Sequence, residues 1–392
     1  MRISTSTIFD ANVSMLNQQQ AKLLHTQQQL ASGRRMLTAS DDPIASARAL
    51  DVSQADAMNT QYDTNRKTAS STLSLADGAM QSVTDLLQYV RDRSIEAGGV
   101  LTASMRQSMA VDLNAQIQQL QGLANSTDGQ GNYLFSGFQG KTQPFTNVAG
   151  TVQYNGDDGQ RMVQVSDSRQ LAATDSGADI FMRVKSLTTQ ASAANTGSGI
   201  ISQGTVSNAA LIAGNTYQVS FTGAATYDVI QTTPAPATSL SVGNTYTSGQ
   251  PITVGGMQFN ITGVPAAGDT FTATPVNESI FKTISDLSSA LASGTATPAQ
   301  LADSIARATN MLDNDLSNVV SVRASIGSRM NEIDSLQTAG TNLGLSFKST
   351  LSQLQDVDYS KAATDLSQQQ LGLQAAQQSF VKIANLSLFN YL

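Results

Sequence analysis

Four short stretches carry side chains that could do chemistry. Gly137-Phe138-Gln139-Gly140-Lys141-Thr142 ends like a phosphate-binding loop, in which glycine backbone cradles phosphates and a lysine reaches them. That pattern requires glycine at position 135, where Phe135 stands, and a strand-like pattern follows instead of a helix. The segment reads as a glycine-rich turn leaving a helix. Asp157 and Asp158 offer calcium-type oxygens, but alternating ligands and a distal bidentate glutamate are missing. Asn155-Gly156 and Asp158-Gly159 favour positive φ and predict a hairpin turn between strands at Thr151–Tyr154 and Arg161–Val165. His25 is the only histidine, set among glutamines with no Asp, Glu or Cys close in sequence, and reads as an interfacial helix residue. Asp41 and Asp42 could act as paired carboxylates; helix capping explains them more simply, with Asp42 as N-cap and Pro43 at the first helical position. No catalytic set, metal site or cofactor site emerges, which argues against an enzyme.

The elements around these residues are dominated by a seven-residue period. Phe9, Leu16, Leu23, Leu30 and Leu37 recur every seventh residue near the start of the chain. Tyr359, Leu366, Leu373 and Phe380 do so near its end, with Ala362, Ala376 and Ile383 three places after three of them. This is the seam of helices that pack on other helices. The last stretch runs into Leu386, Leu388, Phe389, Tyr391 and Leu392 with few charges, so it requires a partner surface. The predicted assembly interface is Phe9, Leu16, Leu23, Leu30, Leu37, Leu366, Leu373, Phe380, Ile383, Leu388 and Phe389.

Between these ends, a helix of roughly 80 Å is expected from Pro43 to about Ala97, with Leu50, Met58, Tyr62, Leu73, Met80, Leu87 and Val90 on one side. Gly98-Gly99 turns the chain into an antiparallel third helix carrying Met109, Leu113, Ile117 and Leu120 inward. A short helix is expected over Asp179 to Ala191. Strands are expected at Tyr217–Phe221, Tyr227–Ile230, Ile252–Val254, Met257–Ile261 and Thr270–Thr274, in a stretch rich in Gly, Thr, Ser and Pro. Helix returns near Glu278. After Pro298 the longest heptad runs through Ile305, Leu312, Val319, Ile326, Ile333, Gly340, Phe347 and Leu354. The next seam residue is Tyr359, five places on, and this slip marks a joint at Gln355 to Asp358.

The fold class that follows is mainly α: a long antiparallel coiled-coil-like helical bundle formed by the N- and C-terminal segments, with a β-hairpin region and a small mostly-β inserted domain. Residues 1–42 and 356–392 form a terminal helical assembly domain, 43–197 and 277–355 a helical rod with the hairpin, and 198–276 a β-rich outer insert.

Composition narrows the function. Only 13% of residues are charged, about half the usual share, against 40% hydrophobic. A polar, weakly charged surface suits packing against copies of itself. The net charge of −7 and the lack of a basic patch argue against nucleic-acid binding. With no cysteine there is neither a disulfide framework nor a thiolate metal site. Met1 to Leu16 has no continuous apolar core of a cleavable signal, and no apolar run reaches membrane-spanning length.

Several motifs occur in a defined order: Met1-Arg2-Ile3-Ser4-Thr5, Leu30-Ala31-Ser32-Gly33-Arg34-Arg35, Ser40-Asp41-Asp42-Pro43, Asn132-Tyr133-Leu134-Phe135-Ser136-Gly137, Val152-Gln153-Tyr154-Asn155-Gly156-Asp157 and Ser387-Leu388-Phe389-Asn390-Tyr391-Leu392. With them, over residues 1–190 and 278–392, the chain resembles the bacterial flagellin family and, within it, the hook-associated proteins of the hook–filament junction. The resemblance implies a short ring-like layer between hook-associated protein 1 and the first flagellin subunits. Its terminal helices would line a central channel, and its β domain would face outward. It further implies an extracellular place in the flagellum, type III export without signal cleavage, and a cytoplasmic export chaperone at the C-terminal helices. Alternatives are a filament-forming flagellin, or a surface adhesin whose β insert binds glycan.

Overall fold

The computed structural model describes residues 5–385. In chain order come α1 (Thr5–Ser32), α2 (Pro43–Ala97) and α3 (Ala103–Ala124). Two hairpins follow, β1 (Phe145–Val148) with β2 (Thr151–Tyr154), then β3 (Met162–Ser166) with β4 (Arg169–Ala172). A π-helical turn at Ala178–Met182 leads into β5 (Val184–Ala191). The short strands β6 (Ile200–Ile201) and β7 (Thr205–Val206) precede β8 (Tyr217–Gly223), β9 (Thr226–Gln231), β10 (Thr238–Thr245), β11 (Pro251–Val254), β12 (Met257–Thr262) and β13 (Thr270–Glu278). The chain closes with α4 (Ile280–Ala292), α5 (Pro298–Gln355) and α6 (Tyr359–Asn385). The fold is mainly α with an inserted antiparallel sheet region, as expected. The helices begin and end close to their punctuation: Pro43, Gly98-Gly99, Pro298 and the slip after Gln355.

The residues divide into two compact units, Met1–Thr64 with Ser335–Leu392, and Asn65–Asp334. In the second, Leu73, Met80, Val83, Leu87 and Val90 of α2 are buried, as are Leu113 and Leu120 of α3 and Ile280, Ile284, Leu287 and Leu291 of α4. The seven-residue series of α5 lies in this core: Leu312, Val319, Ile326 and Ile333 are all at most 2% exposed. Polar clasps fix the helices along their flanks. Asp77 holds Arg323 at 3.0 Å, and the Ser94 and Thr309 hydroxyls meet at 2.8 Å. Leu50 and Met58, expected on the packed side of α2, are exposed; they belong to the first unit, not to this core.

Two local expectations are corrected. The strand at Thr151–Tyr154 does not pair with the one near Arg161–Val165. It pairs with β1 through a turn at Ala149-Gly150, both at positive φ, whereas Gly156 is not at positive φ. The Asn155–Gly159 loop serves instead as a brace. The Asp157 carboxylate accepts the Phe138 and Gly159 N–H groups at 2.9 and 2.8 Å, and the Tyr154 hydroxyl donates to the Phe135 carbonyl at 3.0 Å. The expected helix at Asp179 to Ala191 is helical only through Met182. From Val184 to Ala191 the chain is strand, because β13 supplies an antiparallel partner in register from Val184↔Glu278 to Ala191↔Phe271.

The larger sheet runs β10-β9-β8-β13-β5, and β11, β12, β6 and β7 form a smaller one. Between them Val219, Phe221, Phe259, Ile261 and Phe271 make a core, with Phe221 edge-on to Phe271 at 5.8 Å. All five strands expected here are present. Strand β10 was not expected: Leu240 and Val242 are exposed, so the strand lacks a buried alternation to betray it. The buried Asp269 carboxylate ties two loops of this region by accepting the Thr196, Gly197 and Ala266 N–H groups at 2.7, 3.0 and 2.8 Å.

Candidate assembly surface at the paired terminal helices

Helix α1 stops because Gly33 takes φ +69°, the left-handed conformation that glycine supplies at helix ends. The chain then runs antiparallel to the segment joining α5 to α6. The Gly33 carbonyl accepts the Val357 N–H at 2.9 Å, and the Arg35 N–H donates to the Gln355 carbonyl at 2.7 Å, forming a bridge at Arg34↔Asp356. The Arg35 guanidinium donates to the Leu354 carbonyl at 2.8 Å and reaches Asp42 at 3.2 Å. The heptad slip thus has a physical form. Two chain segments leave helix side by side and satisfy each other's backbone groups.

Carboxylates then restart the helices. Asp42 accepts the Ala45 N–H at 3.0 Å and caps α2; Asp358 accepts the Lys361 N–H at 3.1 Å and caps α6. Asp41 does something that capping of α2 did not foresee. One of its oxygens accepts the Leu37 and Thr38 N–H groups at 2.8 and 2.9 Å, and the other lies 3.2 Å from His25 Nε2. The Thr38 and Leu37 donors, in that order, lower the Asp41 carboxyl from 3.8 to about 2. The Ala45 N–H, with Arg35 beside it, holds Asp42 below its ordinary value. His25 therefore has an acidic neighbour in space that it lacks in sequence.

On the helices, Leu16, Leu23 and Leu30 of α1 and Leu366, Leu373 and Phe380 of α6 are each only half-buried. The positions buried best are Thr26 and Ala362, both 6% exposed, three places after Leu23 and three after Tyr359. Thr26 escapes a hydrophobic reading because its hydroxyl turns back to the Lys22 carbonyl at 3.1 Å. Leu37 continues the spacing but lies beyond the end of α1, half-buried in the turn that Asp41 holds. Phe9 and Ile383 fall on α1 and α6, but their side chains lie outside the described residues, as do Leu388 and Phe389 altogether. Off the seam, Met15, Leu24, Leu371 and Val381 are 55, 57, 67 and 56% exposed.

The stretches read first for chemistry are engaged in local structure. Gly137 to Thr142 is a braced loop followed by β1. Asp158 pairs with Arg183 at 2.7 Å. Among the described residues, no three of His, Asp and Glu converge as metal ligands, and no helix is long and apolar enough to cross a membrane.

Residues 3–140 match the family described as the bacterial flagellin N-terminal helical region, and residues 309–392 the bacterial flagellin C-terminal helical region. The chain is 27% identical over 390 residues to flagellar hook-associated protein 3 of Salmonella typhimurium, covering 99% of each. The crystal structure of FlgL from Xanthomonas campestris is 32% identical, covers 77% of this chain and 99% of its own, and superposes with a TM-score of 0.56. Flagellar hook associated protein-3 from Legionella pneumophila is 28% identical, with 77% and 98% covered and a TM-score of 0.58.

Proposed function

Because the chain belongs to the bacterial flagellin family, we propose that it is a structural subunit of the flagellum that forms the junction layer between hook and filament. Relatives matched along nearly their whole length are named flagellar hook-associated protein 3, and a similar structure from Legionella pneumophila is that of a flagellar junction protein. The subunit makes its layer by packing its terminal helices, α1 and α6, against those of other copies. It carries mechanical load and catalyses nothing.

One observation carries this reading. The same seven-residue spacing is fully buried from Leu312 to Ile333 but only half-buried from Leu16 to Leu30 and from Leu366 to Phe380. A seam left half open, flanked by exposed Met15, Leu24, Leu371 and Val381, is apolar surface that a single chain leaves in water. Other copies remove it. On this reading residues 1–42 and 356–392 are the assembly domain, the joint at Gly33 to Arg35 and Gln355 to Val357 is its boundary, and residues 198–276 face outward. The axial partners are hook-associated protein 1 on one side and flagellin on the other. The chain leaves the cell by type III export without signal cleavage, and a cytoplasmic chaperone covers the C-terminal helices until then.

Antibody labelling of isolated flagella tests the proposal. A thin band at the hook end is expected. Label along the whole filament would make the protein a filament-forming flagellin instead.

A further inference from the structure

Arg161, the residue before β3, has its backbone pinned on both sides. Its N–H donates to the Thr174 hydroxyl at 3.1 Å, and its carbonyl accepts the Ala173 N–H at 2.8 Å. Its side chain is half-buried, yet the guanidinium makes no hydrogen bond or ion pair with any described residue. It lines a cleft of about 510 Å³ with Lys67 and Leu75 of α2, Asp128 and Asn132 of the loop after α3, and Val163 of β3. Asp128 is the one carboxylate in this lining, and it is spent. Its oxygens accept the Gln130 and Asn132 N–H groups at 2.9 and 2.8 Å and the Asn132 amide at 2.8 Å. A guanidinium is always charged and presents a fork of donors that suits a carboxylate. With Leu75 exposed beside it, the cleft fits an acidic side chain flanked by apolar surface.

The same chain carries the complement. Asp92 of α2 is exposed and makes no hydrogen bond or ion pair among the described residues. The arginines beside it are taken, Arg91 by Asp313 at 2.5 Å and Arg93 by Glu96 at 2.6 Å. Ile95, three places on and on the same face, is exposed, as is Val100 in the turn that follows. Asp92 stands roughly 25 Å along α2 from Leu75, so the two surfaces cannot meet within one chain. They also lie on different flanks of α2. The cleft is walled by the loop after α3, whereas Ile95 lies one turn beyond Arg91, which faces α5.

We propose that Asp92 and Ile95 of one copy dock into this cleft of the next, Asp92 taking the Arg161 guanidinium and Ile95 covering Leu75. The inference rests on the assembly role proposed above and adds to it a contact between rods. Two unlike surfaces on one chain make a heterologous contact, which repeats from copy to copy around a ring or a helix, as a layer requires. The paired charges decide which neighbour and which alignment are accepted.

The test uses the full chain in a strain lacking its own copy, comparing protein retained in sheared, isolated flagella with protein released to the medium. Arg161→Glu and Asp92→Arg, each alone, should lower retention about tenfold, and the two together should recover most of it. The purified Asp92→Arg chain should unfold at the wild-type temperature, because Asp92 pairs with nothing in the single copy. Wild-type retention in both single variants would leave the cleft unused between copies. Loss in the single variants without recovery in the double would give the cleft a partner other than Asp92, such as hook or filament protein. A lowered unfolding temperature in Asp92→Arg would place its partner within the chain. Each of these three results overturns the docking. Leu23→Asp separates it from the assembly role. Loss of that variant beside retained charge variants sinks the docking alone, whereas its full retention removes the terminal-helix assembly that the docking presupposes.

Discussion

Gly33 and Tyr359 meet where α1 ends and α6 begins, so closely that a Cβ on Gly33 would stand 2.9 Å from the Tyr359 hydroxyl. The φ of +69° makes a side chain costly there whether or not the tyrosine moves. Gly33→Ala should weaken the joint by about 1 kcal/mol. Amide exchange at Arg35 and Val357, which make the cross-segment hydrogen bonds, should quicken accordingly, while exchange in the Leu312–Ile333 core stays as it was.

The turn after α1 should be acid-resistant to an unusual depth. Asp41 titrates near about 2 in the folded chain against 3.8 unperturbed, because Thr38 and Leu37 donate to its ionised form. A folded value below the unfolded one gives a contribution present above about 3.8 and lost as pH falls through about 2. The Leu37 and Thr38 amide resonances should therefore hold their shifts at pH 3 and move only near pH 2. Asp41→Asn should abolish that titration.

Asp315 behaves in the opposite sense. It is 1% exposed, and burial raises its carboxyl well above the usual value, with only the Thr283 hydroxyl opposing. Below about 3.8 both folded and unfolded forms are protonated and the site contributes no pH dependence. As pH rises further the unfolded chain ionises first, so stability falls until the folded value is reached. Asp315→Asn should flatten this slope and raise stability at pH 7. Urea unfolding at pH 4 and pH 7 provides the comparison.

Two arginine pairs beside the hairpins should differ in weight. Arg329 and Asp175 meet at 2.5 Å with side chains 12% and 16% exposed, and Arg329 also donates to the Ala172 carbonyl at 2.8 Å. Asp175→Ala strands a mostly buried guanidinium and should cost about 3 kcal/mol. Arg169 and Glu332 also meet at 2.5 Å but in the open, and Arg169→Ala should cost clearly less than Asp175→Ala. Equal losses in thermal unfolding would show that burial is not what sets their worth.

Seam leucines should divide into stabilising and assembling ones. Leu312→Ala opens a cavity at a fully buried site and should cost the purified chain about 2–5 kcal/mol. Leu23→Ala, at a half-buried site, should change the purified chain by less than about 1 kcal/mol yet sharply reduce incorporation into flagella. Similar unfolding losses for both would mean that Leu23 is already fully packed in the single chain.

Much of this molecule is written in one dimension. The period of seven from Ile305 to Ile333, the proline at 43, the glycines at 98 and 99, and the slip after Leu354 determine where helices run and stop, because those signals are local. The insert strands with a buried alternation, such as Met257–Ile261, are legible for the same reason. What only tertiary structure decided are the pairings between distant segments. Leucines of equal spacing differ in burial because different numbers of neighbours surround them. Val184–Ala191 is strand because β13 lies beside it. His25 gains Asp41 because a turn folds back, and Gln19 comes to share a cleft with Gln369 because α1 and α6 are antiparallel mates. Periodicity states that a face is to be covered; it carries no record of what covers it, since contacts between remote residues leave no mark on the spacing of either.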